Sequence, residues 1–75
     1  MQNIPESLQP KPLSKRERQI VEMICDGLSD KEIAKELNLY QGTVERHRAN
    51  IYLKLGINKV TELVRWAIRS KLIAA

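Results

Sequence analysis

Asp30-Lys31-Glu32-Ile33-Ala34-Lys35-Glu36-Leu37-Asn38-Leu39-Tyr40-Gln41-Gly42-Thr43-Val44-Glu45-Arg46-His47-Arg48-Ala49 is the stretch on which the fold turns. A short helix, a tight turn and a second helix crossing the first steeply need particular residue sizes at particular places. The crossing needs a small side chain, and Ala34 stands midway along the first helix. The turn needs a residue that tolerates positive φ, and Asn38 follows four positions later. Ile33, Leu37, Leu39 and Val44 supply the apolar wedge between the two helices. This spacing predicts a helix-turn-helix, whose second helix can enter the major groove of DNA.

Upstream, the segment Ser14-Lys15-Arg16-Glu17 predicts a capping box, in which Ser14 and Glu17 satisfy each other's backbone N–H groups. Ile20, Val21 and Ile24 follow at helical spacing, and Gly27 provides a left-handed stop. Ser29-Asp30-Lys31-Glu32 repeats the capping signature and opens a second helix burying Ile33, Ala34 and Leu37. A third helix is expected from about 41 to 55, with Val44, Ile51 and Leu55 inward and Gly56 closing it. Asn58 is expected to cap a fourth helix over about 59–71, with Val60, Leu63, Val64 and Ala67 toward the core. The three prolines, Pro5, Pro10 and Pro12, all lie in residues 1–12. That segment reads as an extended arm or linker, and 13–75 as one all-α, four-helix domain.

Composition narrows the function. The chain has 75 residues, of which 43% are hydrophobic but only 4% aromatic, with no Phe, so the core must be aliphatic. A single Cys permits no internal disulfide, and with one His (His47) it makes no metal-ligand set. No nucleophile–base pair or glycine-rich phosphate loop is present, so no catalytic activity and no cofactor are expected. No run approaches the roughly 20 apolar residues of a membrane span, and the polar start is unlike a signal peptide. A reducing, cytoplasmic setting without membrane contact follows as the expectation. Cys25, beside Ile24, reads as a packing residue.

Charge is uneven within the net +4. Residues 1–18 carry four basic and two acidic groups, 19–45 two and six, and 46–75 seven and one. The basic C-terminal part is suited to a polyanion. Outward residues of the third helix, Gln41, Gly42, Glu45, Arg46 and Ala49, with Arg48, Asn50 and Lys54 beside them, are polar and basic on balance. Arg46 can pair with a guanine edge, while Glu45 can accept from cytosine or pair with Arg48. Lys11, Lys15, Arg16 and Arg18 surround the start of the first helix, where they either graze DNA or form a basic linker end.

The run Leu13-Ser14-Lys15-Arg16-Glu17-Arg18-Gln19-Ile20, then Gly27-Leu28-Ser29-Asp30-Lys31-Glu32-Ile33-Ala34-Lys35-Glu36-Leu37, resembles the LuxR/GerE-type DNA-binding domain. So do Thr43-Val44-Glu45-Arg46-His47-Arg48-Ala49-Asn50-Ile51 and Lys54-Leu55-Gly56. The Thr-Val-Glu-x-His-Arg-Ala-Asn form is similar to that of FixJ-type response regulators. The resemblance spans 13 to about 73. It implies a bacterial transcription regulator that binds double-stranded DNA, with base edges met at Gly42, Glu45, Arg46 and Ala49. It also implies phosphate contacts at Lys31, Thr43, His47, Asn50 and Lys54. The pattern departs from the family at Tyr40, where a small polar residue is usual, and at Gln41, Gly42 and Glu45, where Lys or Arg is frequent.

The fourth helix carries more apolar residues than one core face needs, so Val64, Trp66 and Ile68 are expected to meet a second copy in a homodimer. Two recognition helices would then stand about one DNA turn, roughly 34 Å, apart. Trp66 covering the core of its own monomer is the competing reading. RNA polymerase is a further candidate partner, and no small-molecule ligand is expected in this domain. Location at the nucleoid when bound goes with this reading. Two alternatives stay open, a sigma-factor promoter-reading domain and a helical protein-interaction module using the fourth helix. The proline-rich arm suits a linker from a receiver domain, although a free-standing regulator would look much the same.

Overall fold

The computed structural model describes residues 13–73, so the expected arm over 1–12 lies outside the described residues. Four helices follow in order, α1 (Lys15–Cys25), α2 (Asp30–Leu37), α3 (Gln41–Leu55) and α4 (Val60–Arg69). The described residues contain no strand. Both capping boxes form. The Ser14 hydroxyl accepts from the Glu17 N–H at 3.1 Å, and the Glu17 carboxylate accepts from the Ser14 N–H at 2.8 Å. Ser29 and Glu32 repeat this at 3.2 and 2.9 Å. These Ser29 contacts hold the Glu32 carboxyl below its ordinary pKa.

Each helix ends the same way, on a residue in the left-handed region: Gly27 (φ 91°), Asn38 (56°), Gly56 (66°) and Lys71 (61°). After each of them the next N–H reaches back five residues, as Leu28 does to Met23, Leu39 to Ala34, Ile57 to Tyr52 and Leu72 to Ala67. This closure satisfies carbonyls that the helix end would otherwise leave unpaired. The start and end of α4 differ from expectation. Lys59, not Asn58, occupies the N-cap position, and no side chain caps it. The helix stops at Arg69 because Lys71 takes up the left-handed turn instead of extending it.

The core is wholly aliphatic. Ile20, Val21 and Ile24 of α1 meet Ile33 and Ala34 of α2, Val44 and Ile51 of α3, and Leu63 and Ala67 of α4, with Leu13 closing one edge. Leu37, Leu39 and Leu55 are half-buried against it. Val60, expected inward, is instead 45% exposed, since it is the first residue of α4, about one turn before Leu63 and two before Ala67. The most extensive contact is between α2 and α3, while α1 touches all three other helices. Ala34 is buried on α2, the helix that makes this contact.

Ala34→Leu should therefore overfill the α2–α3 contact and lower stability by about 1–3 kcal/mol. Ala49→Leu, at an exposed position of α3, should leave the urea midpoint close to wild type. Equal midpoints for the two variants would show that α2 and α3 do not meet closely at Ala34.

Candidate nucleic-acid interface

With Val44 and Ile51 fully buried, the opposite side of α3 is turned to solvent. Gly42, Glu45, Arg46, Ala49 and Asn50 are all exposed there. Leu53, which sequence reasoning passed over, continues the same face at 82% exposure. Thr43 and His47 are half-buried on its margin, and Lys31 is exposed in the first turn of α2. The Gln41 side-chain amide donates to the Glu45 carboxylate at 3.1 Å. Glu45 is therefore held along its own helix face by Gln41, whereas the alternative pairing with Arg48 does not occur, since Arg48 faces Asp30.

The two flanks of α3 are tied to the helices beside them. On one side Lys54 Nζ lies 2.7 Å from Glu17 Oε1, the same carboxylate that closes the α1 cap. On the other, Arg48 Nε lies 3.0 Å from Asp30 Oδ1 at the first residue of α2. These two Arg48 and Asp30 atoms are shut off from solvent and make no hydrogen bond, so the contact between them is one of charge alone. Lys54 thus reaches the surface only in part, and its expected phosphate contact would have to be shared with Glu17. Neither pair was visible in the sequence, because Glu17 and Lys54 stand 37 residues apart and Asp30 and Arg48 lie on different helices. The buried carboxylate of a capping box was the available signal.

Burial alone would push the Glu17 carboxyl up, but hydrogen bonds from Lys54 and Ser14 outweigh it and hold the pKa below its ordinary value. Cys25 behaves oppositely: burial, then the charges of Asp26 and Glu22, raise its thiol. It remains protonated and poorly nucleophilic, as a packing residue should. No group of three His, Cys, Asp or Glu side chains suited to a metal ion occurs among the described residues.

On α4, the three expected dimer residues separate. Trp66 packs against its own core and, with Leu55, Ile57, Glu62, Arg65 and Arg69, lines an open cleft of about 300 Å³. Val64 is half-buried and Ile68 is 38% exposed. With Val60 they recur every fourth residue, a spacing that places them along one side of a helix.

Because the folded Glu17 pKa is depressed, its contribution is present above the ordinary carboxylate range, roughly pH 4, and is lost as pH falls through the folded value. Lys54→Met should leave that carboxylate short of a donor and destabilise the domain by about 1–3 kcal/mol at pH 7. The deficit should shrink toward zero in urea titrations at progressively lower pH. A deficit independent of pH would show that the contact with the Glu17 carboxylate is not what Lys54 contributes.

Comparison with known proteins gives this geometry its context. The chain is 52% identical over 54 residues to the transcriptional regulatory protein UhpA of Escherichia coli, covering 72% of this chain and 28% of UhpA. It is 44% identical over 61 residues to the transcriptional regulatory protein FixJ of Bradyrhizobium diazoefficiens, covering 81% of this chain and 30% of FixJ. The crystal structure of ChrA, a response regulator in a heme-sensing two-component system, superposes with a TM-score of 0.80 at 34% identity. That match covers 91% of this chain and 34% of ChrA. The chain therefore spans about a third or less of the length of each of these relatives. Residues 11–67 match the family of bacterial regulatory proteins of luxR type. The chain thus belongs to the LuxR family, a family of transcription regulators and not of enzymes.

Proposed function

We propose that the domain is the sequence-specific, double-stranded-DNA-binding part of a two-component response regulator and reads the major groove with α3. The observation that carries this is the division of labour around α3. Its inner side is core, its flanks are fixed by ion pairs, and its outer side presents Gly42, Glu45, Arg46 and Ala49 without a covering element. On this reading those four meet base edges. Arg46 is suited to a bidentate guanine contact and Glu45, steadied by Gln41, to cytosine N4. Lys31, Thr43, His47, Asn50 and the unengaged part of Lys54 hold phosphates and set the register.

Homodimerisation through α4 completes the proposal. Val64 and Ile68, extended by Val60, form the apolar strip at the interface, while Trp66 supports α4 from within its own monomer. A two-fold or repeated operator, action in the bacterial cytoplasm at the nucleoid, and contact with RNA polymerase belong to the same reading. No helix among the described residues is long and apolar enough to cross a membrane. The same α4 strip also supports a second reading, in which α4 docks a different protein.

Fluorescence anisotropy with a mixed-sequence duplex, titrated across salt, tests the main reading. Log affinity should fall linearly with log salt, with a slope set by the number of phosphates neutralised. Absence of binding at low salt would overturn it and leave α4 as the working surface. On an identified operator, Arg46→Ala should cost about 1–3 kcal/mol and relax specificity at one base pair. Ile68→Glu should keep the monomer folded and binding to a single half-site, but lose the tighter binding to two half-sites. Two-site binding equal to wild type would remove α4 from the interface.

A further inference from the structure

Two positions at the start of α3 go against the helix they belong to. Tyr40 is its N-cap residue, with φ −73° and ψ 147°, close to the backbone of the capping Ser14 and Ser29. The geometry for a capping hydroxyl is in place, yet Tyr40 makes no side-chain cap hydrogen bond and its ring is 87% exposed. Two residues on, Gly42 occupies the first turn. Gly27 and Gly56 are explained by their positive φ, but Gly42 is not in that region, and a Cβ placed on it would meet nothing within 4 Å. Serine at 40 and alanine at 42 would both favour the helix, and nothing within the protein prevents either. Local choices that oppose the fold are expected where something outside the fold selects them.

We infer that Tyr40 is a further DNA-contacting residue, its hydroxyl donating to a backbone phosphate beside the site read by α3, with Gly42 providing the clearance that lets the strand approach. Tyrosine is a regular phosphate donor in such interfaces. Glycine permits close approach where any side chain would stand between. The inference rests on the DNA-binding reading above and extends the contact surface to the residue before α3.

The test sets stability against binding in Tyr40→Phe, Tyr40→Ser and Gly42→Ala, measured by thermal unfolding and by anisotropy on operator and mixed-sequence duplexes. Tyr40→Ser and Gly42→Ala should raise the Tm by a few degrees while weakening DNA binding roughly three- to tenfold. Tyr40→Phe should leave the Tm unchanged and weaken binding about as much on every sequence. Its salt slope should match wild type, because a neutral hydroxyl displaces no counterion. Wild-type affinity in all three variants would overturn the inference, and so would normal binding by Tyr40→Phe alone, which would leave only a ring contact. Failure of the wild-type protein itself to bind DNA would remove the underlying reading, and is recognised by occurring without any substitution.

Discussion

Glu17 accepts from the Ser14 N–H to close the start of α1 and from Lys54 to tie down the far end of α3, and it does so at only 4% exposure. A carboxylate withdrawn this far from water needs compensating donors, since burial alone favours its neutral form. It has them on two elements, so separating α1 from α3 would break the contact with Lys54. On the other flank the charge contact between Asp30 and Arg48 joins the first residue of α2 to the middle of α3. Both carboxylates stand in the first turn of a helix, where the backbone dipoles also favour negative charge. The orientation of the exposed α3 face follows from these two ties together with Val44 and Ile51.

Such ties matter because the core is small. It contains no Phe, and Trp66 is only half-buried at its edge. Aliphatic burial in a domain of this size leaves a narrow margin. Caps and closures therefore contribute a large share of the definition of each helix. α1 and α2 have full capping boxes and form the support, whereas α3 and α4 start without a side-chain cap.

The electrostatic pattern becomes simpler once the pairs are known. Residues 19–45 hold six acidic groups. Asp30 is paired with Arg48, Glu32 closes the α2 cap and Glu45 accepts from Gln41, so that half of the six are engaged within the domain. Arg48 and Lys54 are in turn partly withdrawn from the basic total of the C-terminal half. Among the positively charged residues of α3, Arg46 is left as the fully outward one.

Helix number, the extent of α1 to α3, both capping boxes and the inward set Ile20, Val21, Ile24, Ile33, Ala34, Val44 and Ile51 were determined by the sequence itself. These features depend on interactions within four residues or on periodicity, which are local and additive. The limits of α4 were read less well. Lys71 adopts the left-handed turn against its own preference, and no local signal marks Lys59 as the cap. What only tertiary structure decided was the pairing of Glu17 with Lys54 and of Asp30 with Arg48. It also decided that Trp66 lies on its own core while Val60 and Ile68 remain exposed. Charge–charge contacts between distant helices, and the choice of which side of an over-apolar helix faces in, depend on how helices cross, and periodicity along one helix carries no record of that.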